Sequence, residues 1–81
     1  MSDFERKKID IELSQFASKN FERPASCKNL EQIRYYVNEL CSVIRLYEAK
    51  FNYVPASAYT LLAQYNAKQN SLLYQEFVNS Y

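Results

Sequence analysis

The 81-residue chain contains no glycine, no histidine and no tryptophan, and it has only two prolines and two cysteines. Each gap excludes something. Histidine is the side chain that titrates near neutral pH and the commonest general base and metal ligand. Glycine is what lets a loop bring its backbone N–H groups close to a phosphate. Two cysteines without histidine do not complete a structural zinc site. The expectation is a protein with no catalytic, cofactor or metal site, and so not an enzyme. An enzymatic reading would have to rest on carboxylates such as Glu31, Glu39 or Glu48, whose spacing gives no sign of a shared pocket.

Long apolar runs are missing too. No stretch approaches the ~18 apolar residues that cross a bilayer. The amino terminus, Met1-Ser2-Asp3-Phe4-Glu5-Arg6-Lys7-Lys8, is charged and unlike a signal peptide. The expected location is cytoplasmic, with no membrane partner. Hydrophobic residues make up 48% of the chain and the net charge is only +1, which argues against wholesale disorder. The length allows a single domain, residues 1–81. A chain this short buries only about 60–65% of its unfolded surface, so a partner or a second copy would add stability.

What is present is helical periodicity. We expect an all-α three-helix bundle with helices at about 3–19, 29–51 and 56–79. The second and third should form a long antiparallel hairpin, because the connections Asn20–Lys28 and Asn52–Val54 are short. Ser2 and Glu5 match a capping box, and Asp3 and Lys7 stand at i,i+4 in the favourable order. Ile9, Leu13, Phe16 and Ala17 then share one face of the first helix. Ile9, Ile11 and Leu13 also alternate as in a strand, but the cap and the length favour helix. The second helix has the clearest pattern: Leu30, Ile33, Val37, Leu40, Ile44, Tyr47 and Phe51 are spaced 3 and 4 in strict alternation, an a/d heptad seam. Tyr36, Val43 and Leu46 widen it, so this helix should touch more than one neighbour. Asn29 suits its N-cap. Asn20 and Asn52 are expected to end the first two helices in the left-handed conformation that glycine usually supplies. Pro55 suits the start of the third. In the third, Ala58, Leu61, Leu62, Tyr65, Leu72, Leu73 and Phe77 form a stripe that thins over Asn66–Asn70.

Charge is unevenly spread. Residues 1–23 hold five basic and five acidic groups, residues 24–54 hold four and three, and the remainder holds only Lys68 and Glu76. A solvated helix normally carries lysine and glutamate. The last third carries tyrosine, glutamine and asparagine instead. Tyrosine is enriched and lysine and glutamate are depleted in protein interfaces. We therefore expect the third helix to contact protein, in a homodimer or against another chain, through Tyr59, Tyr65, Tyr74, Phe77 and Tyr81. The competing reading is that these rings close a small core from its edge, hydroxyls outward. That reading is preferred for Tyr35 and Tyr36, and Tyr47 stands at a core heptad position.

Other constellations carry less. Cys27 and Cys41 are separated mostly by helix, which sets their Cα atoms roughly 20 Å apart, beyond the ~7 Å reach of a disulfide, so two reduced thiols are expected. Arg6-Lys7-Lys8 is flanked by Glu5, Asp10 and Glu12 and reads as a solvated face. Arg34, Asn38 and Arg45 lie along the side of the second helix, off the seam, with Glu31 and Glu48 beside them. The segment Glu48–Leu62 partly fits a helix-turn-helix, with Ala49, Val54, Tyr59 and Leu62 at small or apolar positions. It has Tyr53 where the turn glycine usually stands. Its recognition helix would offer Ser57, Thr60, Gln64 and Lys68 to DNA, with no cation before Lys68 to meet phosphate. Nucleic acid is the disfavoured partner.

The run Glu31-Gln32-Ile33-Arg34-Tyr35-Tyr36-Val37-Asn38-Glu39, with Arg45 after it, resembles the third helix of the theta subunit of the bacterial replicative polymerase. Ile9-Asp10-Ile11-Glu12-Leu13 resembles its first. The family has a longer segment between these helices and no long amphipathic helix like Ser57–Tyr81. The likeness is one of amphipathic pattern, and no function is carried over from it. The sequence thus favours a small cytoplasmic helical module for protein–protein interaction (adaptor, inhibitor or accessory subunit) that binds through aromatic and aliphatic faces of its second and third helices. A helix-turn-helix regulator using the turn at Asn52–Val54 is the alternative.

Overall fold

A computed structural model of the protein describes residues 2–79. Helix α1 spans Asp3–Asn20, a 3-10 turn spans Pro24–Ser26, α2 spans Leu30–Phe51 and α3 spans Ala56–Asn79, with no strand among the described residues. The protein is an all-α bundle in which α2 and α3 pack closely. Tyr36 of α2 stacks on Tyr65 of α3, with ring centroids 5.7 Å apart. These residues lie well away from the Asn52–Pro55 connection on both sides, so the two helices fold back on each other as an antiparallel hairpin.

Local chemistry sets the helix ends. The Ser2 hydroxyl accepts the Glu5 N–H at 3.2 Å and Asn29 Oδ1 accepts the Gln32 N–H at 2.8 Å. An N-cap of this kind contributes about 1 kcal/mol. Asn52 closes α2 as expected. It is the one non-glycine residue with positive φ among those described (φ 50°, ψ 35°), and its N–H donates to the Glu48 carbonyl at 2.9 Å. Asn20 acts differently from expectation. It remains helical, its side-chain amide donates to the Phe16 carbonyl at 2.9 Å, and Phe21 after it is extended (φ −117°). A side-chain bond to a terminal carbonyl thus replaces a left-handed turn. Pro55 precedes the first helical residue of α3 and its carbonyl accepts the Ala58 N–H at 3.0 Å. The amide-rich segment Asn66–Asn70 leaves α3 unbroken.

The α2 seam forms the centre of the core: Ile33, Leu40, Ile44 and Tyr47 are buried, and Leu30, Val37 and Phe51 are half-buried. From α3 come Ala58 and Tyr65, and Cys27 comes from the connection. Helix α1 contributes only Ile9 and Leu13. Phe16, expected on the same face, is 41% exposed. Its ring meets Phe21 edge-on at 5.9 Å, and Phe21 meets Tyr36 edge-on at 5.8 Å. An aromatic file therefore runs from α1 across Phe21 and Tyr36 to Tyr65. At the opposite end of α1, the Tyr53 hydroxyl donates to Asp10 Oδ1 at 2.8 Å, and the Arg6 guanidinium stands 5.8 Å above the Tyr53 ring. These contacts lay α1 antiparallel to α2.

Cys27 is buried and Cys41 half-buried, both as free thiols. Burial raises the Cys27 thiol above its usual pKa, and Glu22 adds to this while Lys68 opposes it. Among the described residues no helix is long and apolar enough to cross a membrane.

Candidate interaction surfaces

The residues expected to make contacts divide between core and surface. Tyr59 is 52% exposed, Tyr74 is 69% exposed and Phe77 is 60% exposed. Tyr65 is 0% exposed. Tyr81 lies outside the described residues. The position of Tyr65 corrects the expectation for that residue, and the reason is geometric. It occupies the same helical stripe as Ala58, Leu61 and Leu72, which α3 turns toward α2. Its hydroxyl donates to the Glu22 backbone carbonyl, tying α3 to the connection after α1. Burial, with contributions from Cys27, Tyr36 and Glu22, pushes its pKa up to about 12. Tyr65 therefore packs and anchors within the chain.

The side of α3 nearest α1 borders a groove of about 470 Å³. Leu13 and Ala17 of α1, Leu61 and Ala58 of α3, and Leu40 of α2 give it apolar walls, and Ser14, Ser18, Ser57, Thr60 and Gln64 give it a polar rim. Three of the four residues considered for DNA contact, Ser57, Thr60 and Gln64, thus line a groove between two helices of the same chain. The fourth, Lys68, is half-buried and borders an adjoining depression with Arg23 and Gln64.

Several apolar side chains expected in or beside the buried stripes are exposed, and others join them. Leu73 and Val78 accompany Tyr74 and Phe77 near the end of α3. Leu46 and Phe16 border a smaller depression between α2 and α1, with Val43 and Phe51. Phe4 and Ile11 are exposed on α1, seven residues apart, with Lys7 and Lys8 beside them. Tyr35, expected beside the core, is exposed while its ring lies edge-on to Tyr36 at 5.3 Å. For Tyr35 and Leu46 the hint was the α2 seam, since both stand off its positions. Arg34, Asn38 and Arg45 are exposed, as a solvated stripe requires.

Two further groups show shifts with simple causes. Tyr53 has a raised pKa, first because its hydroxyl bonds to Asp10 and then through burial and the Asp10 charge, with Arg6 opposing. Tyr47 is raised by burial and by Glu12. The Tyr53–Asp10 bond ties α1 to the connection after α2, whereas the Glu12 charge only disfavours an ionised Tyr47. Among the described residues no group of three or more histidine, cysteine, aspartate or glutamate side chains is arranged to hold a metal ion.

No protein-family model, no curated protein and no solved structure matches the chain.

Proposed function

We propose that the protein is a small cytoplasmic interaction module, an adaptor, inhibitor or accessory subunit, that binds protein through the outer faces of α3 and α2. One observation carries the reading. Tyr59, Leu73, Tyr74, Phe77 and Val78 are all exposed on α3, a 24-residue helix whose only charged residues are Lys68 and Glu76. Single exposed apolar side chains need no explanation. A run of them on a helix stripped of charge matches the composition of an interface, with aromatics enriched and lysine and glutamate depleted. Tyr35 and Leu46 extend this apolar exposure to α2.

The test is capture of cross-linked partners from the native host by the wild-type chain and by a Tyr59→Lys/Tyr74→Lys variant. Both rings are exposed, so the variant should keep the helical circular dichroism of the wild type and lose the partners. Recovery of the same partners by a folded variant would sink the proposal. No observation favours the helix-turn-helix alternative, because α2 and α3 close on each other as a hairpin and Ser57, Thr60 and Gln64 turn toward α1.

A further inference from the structure

The outer side of α3 carries a second heptad pattern. Tyr59, Ala63, Asn66, Asn70, Leu73 and Phe77 are spaced 4, 3, 4, 3, 4, and all six are exposed. At 100° per residue this stripe is centred about 120° around the helix from the buried Tyr65, on the side away from the groove with α1. It contains no charged residue. Its content is also symmetric by size and chemistry. Read from either end it runs aromatic, then a small or aliphatic residue, then asparagine.

We infer that this stripe pairs with its own copy as an antiparallel two-helix interface between two protomers, an inference that rests on reading α3 as the contact helix. In an antiparallel pair, a positions pack against d positions. A two-fold axis level with residue 68 sets Tyr59 against Phe77 of the other copy, Ala63 against Leu73, and Asn66 against Asn70. Two aromatic pairs close the ends. Small meets large in the next layers, and amide meets amide in the middle, where two hydrogen-bonded asparagine pairs fix the register at some cost in stability. A stripe without charge meets itself with no like-charge penalty, which a stripe of one sign would not.

The surface area agrees. The chain exposes 6035 Å², whereas a compact monomer of 9.6 kDa is expected to expose about 5,100 Å². The extra surface belongs to a body of 54 × 20 × 16 Å, long in the direction of its helices. A stable interface buries ~1,200–2,000 Å² in total, and an elongated chain has the side area to supply it. Side-by-side pairing along α3 would cover part of that exposed side.

The deciding experiment measures the mass of the purified full chain by light scattering and sedimentation across a concentration series. Wild type is expected at twice the 9.6 kDa chain mass. Ala63→Glu places a carboxylate in an apolar layer, yet at an exposed helical position that leaves the monomer intact by circular dichroism. It should weaken pairing more than roughly 100-fold. Adding Leu73→Lys in the same chain should restore the dimer, because in the antiparallel register each new carboxylate faces the other copy's new ammonium. A parallel pair would instead oppose like charges. A wild type monomeric throughout, a single variant that remains dimeric, or a double variant that remains monomeric would each overturn the pairing. The broader reading of α3 fails separately, by capture of the same host partners with the Tyr59→Lys/Tyr74→Lys chain.

Discussion

Replacing Tyr65 with phenylalanine removes one hydroxyl from the centre of the fold and tests the distinction between core and surface on α3. The ring is fully buried and stacked on Tyr36, and phenylalanine preserves that packing. What is lost is the bond from the hydroxyl to the Glu22 carbonyl. Glu22 is an exposed residue, so its carbonyl can recover a water molecule, and the net cost should be about 1 kcal/mol. In a domain of this size that is a fall in Tm of about 4–8 °C. The pH dependence gives a second reading. The Tyr65 pKa is raised in the folded state to about 12, so its neutral form is the one the fold favours. That contribution is complete below the unfolded value near 10 and is lost as pH rises toward 12. A displacement from about 10 to about 12 corresponds to at most roughly 2.7 kcal/mol. The phenylalanine variant has no such loss. It should be less stable than wild type at pH 7, and the gap should shrink or reverse as pH rises from about 10 toward 12. Urea titrations of both chains at several pH values measure this. Parallel curves from pH 7 to 12, or a loss above about 3 kcal/mol at neutral pH, would refute the assigned role of the hydroxyl.

Other substitutions follow from the same structure. Leu40→Ala, at a fully buried seam position, should cost about 2–5 kcal/mol in denaturant titration. Asn52→Ala forces a Cβ residue without a helpful side chain into φ 50° and should cost about 1–2 kcal/mol, whereas Asn52→Gly should be tolerated. Tyr53→Phe removes the bond to Asp10; hydrogen exchange should then show faster exchange in α1 while α2 is little changed. Tyr59→Lys, at an exposed position, should alter stability by no more than about 0.5 kcal/mol and still weaken association.

The hairpin was legible because its signals are local. The α2 seam repeats at 3 and 4 over three heptads, and Asn52 followed by Pro55 marks one place where the chain can turn. Helix α1 was less legible. Ile9, Leu13 and Phe16 all fit one face, but only the first two reach the hairpin, because Phe16 is drawn sideways onto Phe21. Asn20 ended its helix by a side-chain bond that residue type alone does not distinguish from a left-handed cap. Tyr65 shares its residue type with the surface tyrosines, but its place in the Ala58, Leu61, Leu72 stripe points inward. Tyr59 and Tyr65 are six residues apart, about 240° around a helix. Which of the two faces α2 depends on the register of the hairpin, and periodicity alone does not supply that register. The outer stripe of α3 went unseen for a related reason: half its members are alanine and asparagine, and they form a pattern only once the inward face is known.

Charge and burial together separate the two flanks of the hairpin. Helix α1 buries just Ile9 and Leu13, yet eight of its 18 residues, Asp3, Glu5, Arg6, Lys7, Lys8, Asp10, Glu12 and Lys19, are charged. Helix α3 is longer and carries two. If α3 faced only water in the working protein, its surface would be costly for solubility without return, since exchanging its exposed tyrosines for lysine or glutamate disturbs no core contact. The burden of keeping the molecule in solution falls instead on α1, whose polar outer face covers one flank of the hairpin. Covering the other flank with a polar helix would close the bundle and leave nothing apolar to bind with. The missing charge on α3 is therefore informative in the way the missing glycine is. Both mark positions where a generic solution is available and a more specific one is used: an asparagine for the turn, and a helix with only Lys68 and Glu76 as charges for the surface we propose as the contact face.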